Sequence, residues 1–420
     1  MNATTFALAA SLALGLTVPP AAAHAEARLL VDVETGKVLT EQNAGMPWYP
    51  ASVTKLMTTY VTLKALHDQQ ISRDTLFVVS PRAVAQQPSK MGFKAGTRVT
   101  VDNALKMMLV HSANDMAIVL AEGVAGSIDN FTARMNAEAQ RLGMAQTSYV
   151  NPNGLPDEQQ ITSARDLAIL ARALIRDFSD YDGYWHIASI RLGRKIYHNT
   201  NKLIDAYAGS DGMKTGFICA SGYNLVATAS RDGRRLIAVV LGARTDTARA
   251  SDAAELFERG FGGGAPSWLT MSTPATVEAL QPVAGAPPDM HEEVCPEKGH
   301  RRTPDEEAIN ATSSLGDLPP TLDLRSAPVH ALTSGLTAGV APIDVYTGPA
   351  RPAGWTPPAA AARKKPAPAS ASAAPPKPAA KGDKAEKSAK PDTRSKAVRK
   401  PAAPKTQDAP AQNDAPADSQ

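Results

Sequence analysis

A serine hydroxyl attacks a carbonyl only when a base removes its proton, so Ser52-Val53-Thr54-Lys55 is the first place in this 420-residue chain to look for chemistry. Residues three apart share a helix face, which brings the lysine amine within reach of the hydroxyl. Alone the spacing says little, because Ser followed by Lys at a helix start commonly means a cap and a solvated lysine. Two further clusters add to it. Ser112-Ala113-Asn114 offers a hydroxyl and an amide, and Lys214-Thr215-Gly216 offers a cation, a hydroxyl and a residue without a side chain at the edge of an expected strand. An extended peptide ending in a carboxylate can lie along such an edge. A lysine serves as base only when neutral, and a nearby cation such as Lys214 favours that form.

The elements that must position these groups follow from periodicity. Residues 28–33 and 37–40 predict two strands joined through Glu34-Thr35-Gly36, whose glycine supplies the positive φ of a hairpin. From Ser52, Leu56, Tyr60, Leu63 and Leu66 recur at helical spacing, with Met57 and Val61 widening the stripe. Further helices are expected over about 102–109, through 122 after a pause at His111–Asn114, over 129–142, and over 163–176. Strands return at 214–219, 223–230 and 235–243, the last two joined through Asp232-Gly233. Strands at both ends around inserted helices predict an α+β fold whose antiparallel sheet is closed by distant segments.

The flanks carry less pattern. Residues 1–25 hold an apolar run ending in Ala23-His24-Ala25 and read as a cleaved signal peptide, though no Lys or Arg precedes the run. The apolar run is too short to span a bilayer comfortably, and no later stretch has the length of a transmembrane helix. The mature protein is therefore expected to be exported, periplasmic or secreted, with no anchor evident. Cys219 and Cys295 would then meet an oxidising compartment and are expected to bridge, the alternative being two unpaired thiols. Residues 263–350 are weakly patterned and suggest no fold. The tail, 351–420, carries fourteen Lys or Arg against six Asp or Glu in a chain of net charge +3; from Pro357 it lacks aromatic residues and is expected to be disordered. Such a tail invites at most weak, salt-screened contact with anionic wall polymers, and no nucleic-acid partner is expected.

Taken in order, the motifs resemble those of the penicillin-recognising serine D,D-peptidases, which include the class A β-lactamases. The chain is most similar, within that group, to the low-molecular-mass D-alanyl-D-alanine carboxypeptidases. The match rests on Leu30-Val31-Asp32, Thr35–Leu39, Pro50-Ala51-Ser52 with Thr54–Thr58, Asn151–Pro156, Asp211–Gly216 and Gly222–Val226, and spans about residues 28–262. The resemblance implies a transpeptidase-like sheet flanked by helices, with a helical subdomain and a catalytic domain over 26–262. It implies Ser52 as acylated nucleophile, Lys55 as base and Ser112 as proton relay. Asn114 would hold a substrate amide, Lys214 and Thr215 the terminal carboxylate, and Gly216 would leave room for the substrate strand. The N–H groups of Ser52 and Phe217 would form the oxyanion hole. The implied reaction is removal of the terminal D-alanine from peptidoglycan stem peptides, with β-lactams as covalent inhibitors and no cofactor. Where some relatives carry an arginine near an Asn-x-Asn segment, this chain has Asn199-Thr200-Asn201-Lys202, leaving Lys202, Arg244 or Arg249 for any extra carboxylate contact.

Rival readings make different demands. A class A-like β-lactamase needs a glutamate that activates water between the second and third motifs, where this chain has Asn151–Pro156 and only Glu158 nearby. A D,D-endopeptidase would share every motif. A metallopeptidase needs ligand-spaced His and carboxylates, but the eight histidines are scattered and no metal site is expected; His186, after Trp185, reads as part of a packed aromatic segment. A non-catalytic wall-binding module has no use for Ser52, Lys55 and Ser112 together.

Overall fold

The computed structural model describes residues 26–262, 275–296 and 335–350. The expected leader, the whole tail from 351 to 420, and residues 263–274 and 297–334 of the extension lie outside the described residues. A five-stranded antiparallel sheet runs in the order β2-β1-β9-β8-β7, formed by β1 (Ala27–Asp32), β2 (Val38–Gln42), β7 (Ser210–Ile218), β8 (Gly222–Arg231) and β9 (Arg234–Ala243). The two ends of the sequence pattern thus meet directly, β1 pairing with β9 from Ala27 opposite Leu241 to Asp32 opposite Leu236. The first hairpin turns where Gly36 adopts φ +71°, with the Thr35 N–H donating to the Asp32 carboxylate. Strands β8 and β9 are buried at nearly every position, which requires cover on both faces of the sheet.

Helices supply that cover. Helix α8 (Asp246–Phe261) packs on β8 and β9, and α6 (Ala164–Asp177) packs on β9 and β1. Ser163 caps α6, its hydroxyl accepting from the Asp166 N–H. The chain between β2 and α6 builds the helical subdomain. A 3₁₀ turn (Ala51–Thr54) runs into α1 (Lys55–His67); after it come the β3 (Leu76–Val78) and β4 (Arg98–Thr100) hairpin, the short α2 (Pro81–Val84), α3 (Val101–Val110), α4 (Asn114–Ala125) and α5 (Ile128–Arg141). Helix α1 has eleven buried residues of its thirteen, because it packs against α3, α4, α5 and α6. Two of its buried threonines satisfy their hydroxyls locally, Thr59 donating to the Lys55 carbonyl and Thr62 to that of Thr58, while Thr58 donates to the Pro152 carbonyl.

The extension is not detached. Strand β10 (Ile343–Val345) pairs in parallel with β5 (Ser189–Leu192), itself antiparallel to β6 (Lys195–His198). The N–H of Val277 donates to the Gly36 carbonyl, and Arg165 donates to the carbonyls of Leu280 and Glu278. Short helices α7 (Leu203–Ala206) and α9 (His291–Val294) complete the described elements. Cys219 and Cys295 form a disulfide, S–S 2.07 Å, joining the end of the β7 segment to the extension.

Candidate active site

The junction between sheet and helical subdomain is where the three motifs converge. Ser52 lies in the 3₁₀ turn just before α1, and it does not cap the helix: neither the turn nor α1 has a side-chain cap. Its Oγ is instead 2.7 Å from Lys55 Nζ. Lys55 is fully buried, and its amine also donates to Asn114 Oδ1 at 2.8 Å and to the Asn153 carbonyl at 2.7 Å. The backbone around these groups is held in sparsely populated conformations. Ala51 sits at φ +48° and Ser112 at φ +58°, so the residue before the nucleophile and the break between α3 and α4 are both over-determined by their surroundings.

Two glycines explain how the nucleophile turn is held. A methyl on Gly154 would lie 1.8 Å from the Ala51 carbonyl oxygen, and Gly154 has φ +82°, so no other residue fits there. On Gly216 a methyl would sit 2.9 Å from both the Pro50 carbonyl oxygen and the Val53 nitrogen, and 3.0 Å from that of Ser52. The space a side chain at Gly216 would take is thus filled by the backbone of the Ser52 turn. Close approach of β7 to the 3₁₀ turn is what the missing side chain permits.

A cavity of roughly 210 Å³ opens beside Ser52. Ser52, Ser112, Asn114 and Phe217 line it, together with Gln87–Ser89, Gly154–Pro156, Ile218–Ala220 and His291. Four of the eight residues singled out in the sequence therefore face one cavity, with Lys55 behind Ser52. Lys214, Thr215 and Gly216 belong to the adjoining strand β7, are buried, and are not among the lining residues. Lys214 Nζ donates to the Thr215 carbonyl at 2.8 Å, and Thr215 Oγ1 donates to Thr200 Oγ1 at 2.7 Å.

Several supporting groups had no signal of their own in the sequence. The Asn153 carbonyl is presented to Lys55 by a loop that closes on itself: Gly154 N–H donates to Asn151 Oδ1, Asn151 Nδ2 to the Leu155 carbonyl, and Asn153 Nδ2 to Gln86 Oε1. Gln160 ties this loop to the nucleophile turn by donating to Thr54 Oγ1. Thr200 belongs to Asn199-Thr200-Asn201, where Asn201 Nδ2 donates to the Gly212 carbonyl of β7. That segment props the strand. Of the cations proposed for an extra carboxylate contact, Lys202 is paired with Asp246 at 2.5 Å, Arg244 with Glu293 at 2.9 Å, and buried Arg249 donates to the Asn224 carbonyl at 3.3 Å.

Electrostatics set His111 apart. Burial, then the charges of Lys195 and Lys214, push its imidazole down to about 4, so it stays neutral next to Ser112. His186 behaves oppositely, raised by its hydrogen bond to Asp182 at 2.7 Å while Trp185 beside it is buried. Glu158 is exposed and does not line the cavity. Among the described residues, no cluster of three or more His, Cys, Asp or Glu could hold a metal ion, and no helix is long and apolar enough to cross a membrane.

Comparison with known proteins agrees with this geometry. Residues 15–245 match the family described as D-alanyl-D-alanine carboxypeptidase. The chain is 37% identical over 252 residues to D-alanyl-D-alanine carboxypeptidase DacC of Escherichia coli K12, an alignment covering 58% of this chain and 63% of that protein. Among solved structures it resembles penicillin binding protein 6B from Escherichia coli, at 34% identity and TM-score 0.55, covering 59% of this chain and 80% of that one. It also resembles penicillin-binding protein D2 from Listeria monocytogenes in its cefotaxime-bound form, at 31% identity and TM-score 0.52, covering 56% and 96%. A match running through all three motifs and over more than half of the 420 residues places this chain in the D-alanyl-D-alanine carboxypeptidase family.

Proposed function

We propose that this chain is an exported serine D-Ala-D-Ala carboxypeptidase that releases the terminal D-alanine from peptidoglycan stem peptides through an acyl-enzyme on Ser52, with residues 26–262 as its catalytic domain. The observation that carries the reading is the 2.7 Å contact between Ser52 Oγ and the amine of fully buried Lys55. A neutral amine has two N–H donors and one lone pair. Asn114 Oδ1 and the Asn153 carbonyl are both acceptors, so they take the two N–H groups. In that neutral form the amine can take the hydroxyl proton of Ser52, whose Oγ lies 2.7 Å from Nζ. On attack, that proton moves to Lys55 as Ser52 Oγ bonds to the carbonyl carbon of the penultimate D-alanine. The leaving D-alanine nitrogen receives a proton by way of Ser112, and water later hydrolyses the ester.

The remaining roles follow from position. Backbone N–H groups of Ser52 and Phe217 would stabilise the oxyanion, a contribution of about 2.7–4 kcal/mol per donor in comparable sites. The substrate's terminal carboxylate would reach Lys214 and Thr215 by exchanging for their present partners, the Thr215 carbonyl and Thr200. A β-lactam would acylate Ser52 by the same attack, as the cefotaxime-bound form of the Listeria relative suggests. The exposed position of Glu158 disfavours a β-lactamase that clears its acyl-enzyme through that residue. The test is covalent labelling by a reporter penicillin together with D-alanine release from a soluble peptide ending in D-Ala-D-Ala. Ser52→Ala removes one oxygen and no cap, so it should fold as the parent does and lose both activities. Turnover at the parental rate in Ser52→Ala would remove Ser52 from the mechanism.

A further inference from the structure

We propose that the disulfide-tethered segment ending at Cys295 forms a subsite for the residue preceding the D-alanine pair, with His291 as a specificity-determining residue for a side-chain amine at that position. This rests on the reading of Ser52 and β7 given above. Residues 288–295 lie beyond the 15–245 matched by the family, yet one of them, His291, lines the active-site cavity. Met290 is buried and its N–H donates to the Ala220 carbonyl at 3.1 Å. The Cys219–Cys295 bond and the Arg244–Glu293 ion pair hold the other end. His291, on the short α9 between these ties, lines the cavity with Ile218, Cys219 and Ala220.

Direction along β7 assigns the occupant. β7 is the outer strand of the sheet, so a peptide can lie along its open edge. With the terminal carboxylate at Lys214 and Thr215 and the scissile carbonyl at Ser52 and Phe217, each earlier substrate residue lies about 3.3 Å further along the strand direction. The residue before the D-alanine pair then meets Ile218, Cys219 and His291. The ring of His291 has its Nδ1 3.3 Å from the Asp289 carboxylate, an acceptor, so Nδ1 carries the proton. In the neutral ring Nε2 is then an acceptor, suited to a donor such as the ammonium of a diamino acid side chain.

The experiment compares two peptides ending in L-Lys-D-Ala-D-Ala, one with a free ε-amine and one with that amine acetylated, and measures kcat/KM for D-alanine release by the full chain. The parent should favour the free amine by about tenfold, the scale of one hydrogen bond to a charged group. His291→Ala should bring the two peptides within about twofold, through a raised KM for the free-amine peptide. Equal kcat/KM for both peptides in the parent, or the parental ratio kept in His291→Ala, overturns the subsite alone. A parent that is neither labelled by penicillin nor active on either peptide overturns the proposed function and the subsite with it.

Discussion

Lys55 Nζ lies 2.8 Å from Asn114 Oδ1, and the orientation of that amide is fixed from its other side, where Nδ2 donates to the carbonyls of Gln87 at 2.9 Å and Pro88 at 3.2 Å. Two carbonyls can face only the nitrogen of the amide, so its oxygen must point at the lysine. Asn114 therefore couples the base to the 87–89 wall of the cavity.

Asn114→Asp is expected to fold, because an acid is well placed in the first turn of α4. It would set an acceptor against two carbonyls and a charge beside Lys55 that holds the amine as ammonium. Penicillin labelling should slow by about 100-fold or more, a barrier increase of about 2.7 kcal/mol. A labelling rate within tenfold of the parent would show that the amide does not orient the base.

His111 gives the protein a pH dependence whose sign is determined by its burial. The folded-state value is about 4 and the ordinary value 6.5, so the unfolded chain binds more protons between them. Stability is full above about pH 6.5 and falls as the pH drops toward 4. The loss from this group should be about 2 kcal/mol between pH 7 and pH 5. Denaturant titrations at the two pH values, on the parent and on His111→Gln, isolate it. The variant should lose less between them, and an equal loss would assign the dependence to other groups.

The disulfide closes a loop with a sequence separation of 76. Replacing both Cys219 and Cys295 by serine should lower the unfolding free energy by about 2–4 kcal/mol, chiefly by freeing the unfolded chain. In oxidatively folded, non-reduced protein, alkylation should modify neither cysteine. Two modified cysteines would mean that the bridge does not form.

What the sequence conveyed about the site follows from which groups carry a side-chain signature. Ser52, Lys55, Ser112 and Asn114 do, and the helix-break-helix pattern around His111–Asn114 matches the turn between α3 and α4. The Asn153 carbonyl leaves no trace of its own, since every residue has one. Helix α8 was equally silent: its buried face is Ala253, Ala254, Leu256 and Phe257, and alanines make a weak apolar stripe. His291 lies far from the motifs in sequence and is brought to the cavity by the Cys219–Cys295 bond, the Met290–Ala220 hydrogen bond and the Arg244–Glu293 ion pair. Strand β10 has three residues, too few for alternation to register, and needs β5 to exist.

Gly216→Ala tests the contact between β7 and the nucleophile turn. Gly216 is not among the residues with positive φ, so alanine meets no backbone penalty and the whole effect comes from crowding. The atoms it meets, Pro50 O, Val53 N and Ser52 N, are backbone of a four-residue 3₁₀ turn that cannot yield without moving Ser52. Overpacking of this kind costs about 1–3 kcal/mol. Gly183→Ala is the control, because its added methyl meets nothing within 4 Å and its φ is also not positive; it should stay within about 0.5 kcal/mol of the parent. Penicillin labelling of Gly216→Ala should fall even where the protein remains folded, since Ser52 must shift relative to Lys55. A folded Gly216→Ala variant that labels at the parental rate would show that the turn can retreat from β7 without disturbing the pair on which acylation depends.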